Sequence, residues 1–250
     1  MPDPASLAFG VLGAFNNSIQ CFDYVHVARN FDRDARSAVL KLDIAKLKLS
    51  RWSKSVGMDR VQDGEIGFSN ISASPDELRK ARQLLQQIEV LFDDAQKASK
   101  NWKLEPADVR STILDPASQS LHDRLKTLCL KYFRPRNVVQ KVKWGVHSEK
   151  HTRKLVEDIT QLVDKLIELF PASRKVLDQL YGDEGRRLAL DNNVGLLRSV
   201  LEELDPVLKD KIRRVDVDAF QMVISFDNFQ QLIDSGNLNN NFGHKPLGFS

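Results

Sequence analysis

The chain has 250 residues, of which 42% are hydrophobic and 28% charged, which excludes a wholly disordered chain and a polytopic membrane protein. Lys and Arg number 37 against 34 Asp and Glu, a net charge of +3 that permits an anionic partner without demanding one. The only cysteines, Cys21 and Cys129, are too few for a disulfide framework or a cysteine-based zinc site, so the reading is cytoplasmic.

Ala5 to Phe15 reads ASLAFGVLGAF, an apolar run preceded by Asp3 and Pro4. Without Lys or Arg before it, the run is a poor secretory signal. It is also too short to span a bilayer alone. It reads as a buried first helix that can also leave its bundle for a membrane, with Leu7, Phe9, Val11, Leu12, Phe15 and Ile19 as the insertion candidates. Gly10 and Gly13 weaken its helix propensity, and Asn16-Asn17 raises the cost of insertion.

From Asp32 the spacing of Val39, Leu42, Leu49 and Trp52 predicts a second helix, ending at Gly57 as a left-handed cap. The stretch 58–73 is rich in Gly and Ser and reads as a loop with room for a short β-hairpin. Ser74-Pro75-Asp76-Glu77 is a capping box that opens a helix running to about Trp102. A connection with Pro106 and Pro116 follows, then a helix over 118–133 and a short helical piece over 136–146. Ser148 caps a long amphipathic helix ending at Phe170-Pro171. Shorter helices are expected over 173–181, 183–190, 193–204, 206–214 and 217–234. The tail from Ser235 is polar and Asn-rich and reads as disordered. The expected fold is all-α: one bundle of about eight or nine helices over 1–234, followed by the tail over 235–250.

No phosphate-binding glycine loop, nucleophile elbow, HExxH or EF-hand loop is present, so the reading is of a non-enzyme with no catalytic, cofactor or metal site. His147 and His151 stand four apart, with no carboxylate signature such as HExxH around them. Acid pairs such as Asp93-Asp94 and Glu202-Glu203 read as solvated helix surface. Between Arg124 and Lys143 there is no acid, and Lys126, Lys131, Arg134, Arg136, Lys141 and Lys143 form a candidate basic patch with Tyr132, Phe133 and Trp144 interleaved. Such a stretch suits anionic lipid headgroups or nucleic-acid phosphates. No named nucleic-acid motif supports the second, so nucleic acid is not an expected partner.

An ordered series of strings resembles one family. Phe15-Asn16-Asn17, Cys21-Phe22-Asp23-Tyr24-Val25, and Phe31 with Arg33-Asp34 open it. Leu42-Asp43-Ile44-Ala45-Lys46 and Leu49-Ser50-Arg51-Trp52 follow, then Leu91-Phe92, Ala95-Gln96-Lys97 and Ser99-Lys100. Lys141 with Trp144, Val163-Asp164, Leu166 and Phe170-Pro171 complete it. The set, spread over about residues 5–225, resembles the HeLo domain, the N-terminal domain of fungal HET-s/HET-S prion-inhibition and propagation proteins. It is also similar to the stand-alone loss-of-pathogenicity B type. The resemblance implies a helical bundle linked to cell death, heterokaryon incompatibility or pathogenicity. It implies release of the segment from Ala5 to about Tyr24 into a membrane. Membrane lipid, a second copy of the chain, or another HeLo or amyloid-bearing protein are the partners it implies.

The chain departs from the family pattern at three places. The family's amyloid repeat pair is not visible after Phe226; Gln86-Gln87 stand where two acids are expected; and Gln20 and Asn30 occupy the positions of the toxic-versus-inert distinction. A soluble interaction bundle without pore activity is the alternative reading.

Overall fold

The computed structural model describes residues 4–27, 32–58, 68, 72–99, 114–135, 144–146, 149–189 and 194–215. Seven α-helices are α1 (Pro4–Cys21), α2 (Asp32–Ser55), α3 (Pro75–Ser99), α4 (Pro116–Tyr132), α5 (Glu149–Leu169), α6 (Arg174–Leu188) and α7 (Val194–Leu204), and an eighth, α8, covers 206–215. A 3-10 turn, Phe22–Tyr24, leads from α1 into strand β1 (Val25–Val27), which pairs in parallel with β2 (Trp144–Val146).

The all-α reading holds, and three local readings are corrected. Residues 144–146 are a strand, not the end of a helix: Trp144, Gly145 and Val146 pair with Val25, His26 and Val27. A partner more than a hundred residues away is invisible to local periodicity. Helix α4 begins at Pro116, inside the expected connection, because Asp115 accepts hydrogen bonds from the amides of Ala117 (3.1 Å) and Ser118 (3.0 Å) while Pro116 takes the first helical position. The two helices expected over 173–190 are one, α6, which runs through Gly182. A mid-helix glycine costs only about 1 kcal/mol against alanine, which tertiary packing overrides. The loop with the expected hairpin, the helix over 217–234 and the tail fall outside the described residues.

The other boundaries follow the expected chemistry. Ser74 and Glu77 form the reciprocal capping box, the Glu77 amide donating to Ser74 Oγ at 3.3 Å and the Ser74 amide to Glu77 Oε2 at 2.8 Å. Gly57 sits at φ 82°, the left-handed residue that closes α2.

Helix α2 is the centre. It packs against α4, α5 and α7 and touches α1, α6 and β1, while α3 lies against α1 and α5. Every residue from Ile44 to Ser53 is buried, on all sides of the helix. Its buried serines satisfy themselves: Ser50, Ser53 and Ser55 donate to the carbonyls of Lys46, Ser50 and Trp52 at 2.7–2.8 Å.

Helices α6 and α8 cross tightly at Gly185, where a Cβ would stand 3.2 Å from Lys211 Cβ and 3.3 Å from the Lys211 backbone. Nothing lies within 4 Å of the corresponding position at Gly13 in α1. Opposite outcomes are therefore expected for one chemical change. Gly13→Ala should raise stability by about 0.5–1 kcal/mol through helix propensity. Gly185→Ala should lower it by about 1–3 kcal/mol through overpacking. Urea unfolding followed by circular dichroism reads both.

Candidate functional site

Helix α1 has 18 residues and not one charged side chain. Leu7, Val11, Ala14, Phe15, Ser18 and Ile19 are buried at helical spacing and form its inner stripe. Of the six insertion candidates, four are core residues, Leu12 is half-buried, and Phe9 stands in solvent at 51% exposure. Phe15 meets the ring of Phe133 edge-on at 4.6 Å and that of Trp52 at 6.0 Å. Ser18 Oγ lies 2.9 Å from the Leu85 carbonyl of α3 and 2.8 Å from the Ala14 carbonyl of its own helix, and donates to one at a time. Just beyond α1, the ring of Phe22 sits edge-on to Phe92 at 4.9 Å. Among the described residues, no helix is long and apolar enough to cross a membrane.

The bundle around α1 is pinned by charges on α2. Lys46 Nζ bonds Asp23 at 2.6 Å, tying down the turn that follows α1. Lys48 Nζ reaches Asp164 of α5 at 2.7 Å and the Leu204 carbonyl that ends α7 at 3.0 Å. Arg51 is 3% exposed, as is Asp205, and Glu184 is fully buried. Its guanidinium donates to both oxygens of Glu184 at 2.6–3.0 Å and to Asp205 at 2.8 Å, and it stacks 4.0 Å from the ring of Tyr181. Asp205 also caps α8 through the Leu208 amide at 3.2 Å. Burial opposes the charge on Arg51, but Glu184 and Asp205 outweigh it and hold the group protonated well beyond its ordinary range. Burial pushes Glu184 up despite Arg51, and it pushes the Tyr181 hydroxyl up to about 12.

Asp43, about two turns before Arg51 on α2, bonds His122 Nδ1 of α4 at 2.7 Å. Burial raises the Asp43 carboxyl, and the hydrogen bond to Asp43 raises His122 above its ordinary 6.5. The Cys129 thiol is pushed up to about 12 by burial, which makes it inert.

The remaining motif positions scatter. Asn16 and Tyr24 are half-buried, Asn17 and Gln87 are exposed, and Trp144 opens β2. In the basic stretch, Lys126 and Arg134 are exposed and Lys131 is paired with Asp183 of α6, while Tyr132 and Phe133 are buried. Arg136, Lys141 and Lys143 lie outside the described residues. The expected surface acid Glu203 holds Lys41 at 2.6 Å. Sequence reasoning missed Asp23, His122, Asp164, Glu184 and Asp205 as partners of α2. Their one visible signal was the excess of basic over acidic residues on α2.

Two outcomes test this network. Arg51→Met leaves two buried carboxylates unpaired and should cost about 3–5 kcal/mol in urea unfolding, far more than loss of an exposed pair. Arg51→Lys should not rescue it, because one ammonium cannot reproduce the fork. For His122 the folded pKa is raised, so its contribution is complete below 6.5 and is lost as pH rises through the higher folded value. Stability should therefore fall on the alkaline side of 6.5, and His122→Gln should flatten that step.

Comparison with known proteins gives the same architecture a family. The profile described as HeLo, prion-inhibition and propagation, matches residues 6–200. Heterokaryon incompatibility protein S of Podospora anserina is 30% identical over 209 residues, covering 81% of this chain and 70% of that protein. Heterokaryon incompatibility protein s of Podospora anserina is 29% identical over 219 residues, covering 84% and 74%. The solved HET-S N-terminal domain superposes with a TM-score of 0.71 at 27% identity, over 88% of this chain and all of that one. A doubly substituted HET-s N-terminal domain gives 0.67 at 27% identity, over 82% of this chain and 96% of that one. With a profile that spans most of its length and helices that superpose on a solved domain, this chain belongs to the HeLo family of prion-inhibition and propagation proteins.

Proposed function

We propose that the chain is a fungal HeLo-type effector of cell death, heterokaryon incompatibility or pathogenicity, cytoplasmic at rest, whose N-terminal helix leaves the bundle and enters a membrane. The observation that carries this reading is the charge-free outward face of α1. A surface helix ordinarily presents Lys, Glu, Asp or Arg to water. Here the exposed positions are Ser6, Phe9, Gly13 and Asn17, and none of them is charged. The inner stripe would bury equally well in the core or in lipid, so one segment serves both states. At about 1.5 Å per residue, 18 residues reach about 27 Å, close to the hydrocarbon thickness. The polar end from Asn16 to Gln20 needs company in a bilayer, so the inserted form is an oligomer or a water-lined assembly. The trigger is supplied by a second copy of the chain or by another HeLo or amyloid-bearing protein. No catalytic step enters this mechanism.

One observation favours the alternative, a soluble interaction bundle: no described helix is apolar enough to cross a membrane unaided. Phe9 separates the two readings because it is exposed in the resting bundle. Phe9→Glu should leave thermal unfolding unchanged. Protein fused after Ser250 to an assembling amyloid trigger should release dye from anionic vesicles, and Phe9→Glu or deletion of residues 1–23 should reduce release at least tenfold, given a cost of about 2.5–3.5 kcal/mol for a charge at the bilayer centre. Release that survives both changes rejects the α1 mechanism. No release from the parent protein, with its trigger assembled, selects the interaction bundle.

A further inference from the structure

The outer face of α4 carries positive charge around an exposed leucine. Lys126 and Leu130 stand one turn apart on that face, and Arg134 follows just past the helix end; all three are exposed, Leu130 at 42%. Neither Lys126 nor Arg134 has an ion-pair partner among the described residues. Along the adjoining edge, Lys131 reaches Asp183 of α6, and that single carboxylate also serves Arg187 at 3.4 Å and Arg186 at 4.0 Å. Five cations therefore share this ridge with Asp123 and Asp183, so it is net positive among the described residues.

Beside the ridge is an open groove of about 760 Å³, lined by the donors of Gln119, Ser120, Arg124, Thr127 and Arg187 together with the Asp123 carboxylate, two cations against one acid. Guanidinium, amide and hydroxyl donors together suit a phosphate-bearing headgroup. The exposed apolar group between the cations is aliphatic. Tyr132 and Phe133, the aromatic residues a single-stranded nucleic acid would stack upon, are buried and unavailable. A basic surface with an aliphatic side chain able to enter the interfacial layer is the pattern of a lipid surface. The buried Phe133 then joins the end of the ridge to Phe15 of α1, their rings 4.6 Å apart.

We infer that the ridge formed by α4 and α6 is a docking face for a membrane containing anionic phospholipid, engaged while the bundle is still folded. Its value for delivering α1 rests on the function proposed above; docking itself does not. The test is cosedimentation of the full chain, without any trigger, with phosphatidylcholine vesicles that contain or lack phosphatidylserine. Binding should require phosphatidylserine and weaken as salt is raised. K126E/R134E should reduce it at least tenfold, and Leu130→Ser several-fold, with thermal unfolding unchanged for both. The inference is overturned by no binding, by equal binding to neutral vesicles, or by unchanged binding of K126E/R134E. Tighter binding to single-stranded RNA than to vesicles, untouched by Leu130→Ser, would also overturn it and assign the ridge to polynucleotide. Dye release is scored separately. Docking of the untriggered chain, with no release even after fusion to an assembled trigger, upholds this inference and removes the executioner reading, whereas triggered release with no docking defect in K126E/R134E removes only the docking face.

Discussion

The bundle depends on one buried charge. Arg51 sits on the central helix with 3% of its surface exposed, and it is compensated by two carboxylates that arrive from α6 and from the start of α8. A guanidinium taken out of water costs several kcal/mol unless its donors are matched, so the positions of Glu184 and Asp205 are not free to drift. Matching them fixes α6 and α8 against α2 in register as well as in distance. The next residue, Trp52, points about 100° further round the helix and packs on Phe15 of α1 and on Phe170 just past the end of α5. Two consecutive side chains thus bind four outer helices to one point. Lys48 extends the same scheme to α5 and α7, and Asp43 extends it to α4.

This arrangement explains what was legible in the chain. The helices could be read because each carries a local signature. Ser74 and Glu77 are three residues apart, Gly57 ends its own helix, and the apolar stripe from Leu155 to Leu166 repeats at three and four. Spacing alone does not show that α2 is central. Its Lys46, Lys48 and Arg51 look like a solvated face, and their acids are 23, 116 and 133 residues away. Strand β2 was lost for the same reason, since its partner β1 precedes it by more than a hundred residues. Gly182 misled in the other direction: a local breaker was overruled because α6 is anchored on both sides of it, by Tyr181 on Arg51 and by Asp183 on Lys131. The motif resemblance singled out Asp43 and Arg51 without their partners, and it placed Phe15, Trp52 and Phe170 in one series without showing that they pack together. The structure supplies the reason those residue types stand at those positions.

The departures from the family pattern take on physical meaning in the fold. Gln86 and Gln87 are exposed on α3, so exchanging amide for acid there would change the charge of one surface and leave the core untouched. Gln20 is different. It is buried at the base of α1, beside Cys21 and two residues from the Ser18 hydroxyl that meets the Leu85 carbonyl. A neutral side chain there avoids the desolvation that a buried carboxylate would have to offset, and α1 stays charge-free along its whole length. The tether that does use charge, Asp23 to Lys46, lies just outside the helix, and the Asp23 side chain keeps 42% of its surface in water. Charge is therefore kept out of the segment and placed where solvent can compete for it.

The junction at Phe133 gives this division its significance. On one side of it, α4 offers cations and an exposed leucine to the exterior. On the other, α1 offers an uncharged face to the exterior and an apolar stripe to the core. The Phe15–Phe133 pair links the inner stripe of α1 to the end of α4 inside the core, and both residues are at least nine-tenths buried. A surface that attracts anionic headgroups and a helix without charge need not act together. The energetic separation is clean, because long-range attraction falls on exposed lysine and arginine while short-range burial falls on leucine, valine and phenylalanine. The central Arg51 network contributes to neither. It holds the folded state in which both surfaces are displayed, and this is why a buried ion triad, costly in itself, belongs at the core of such a bundle.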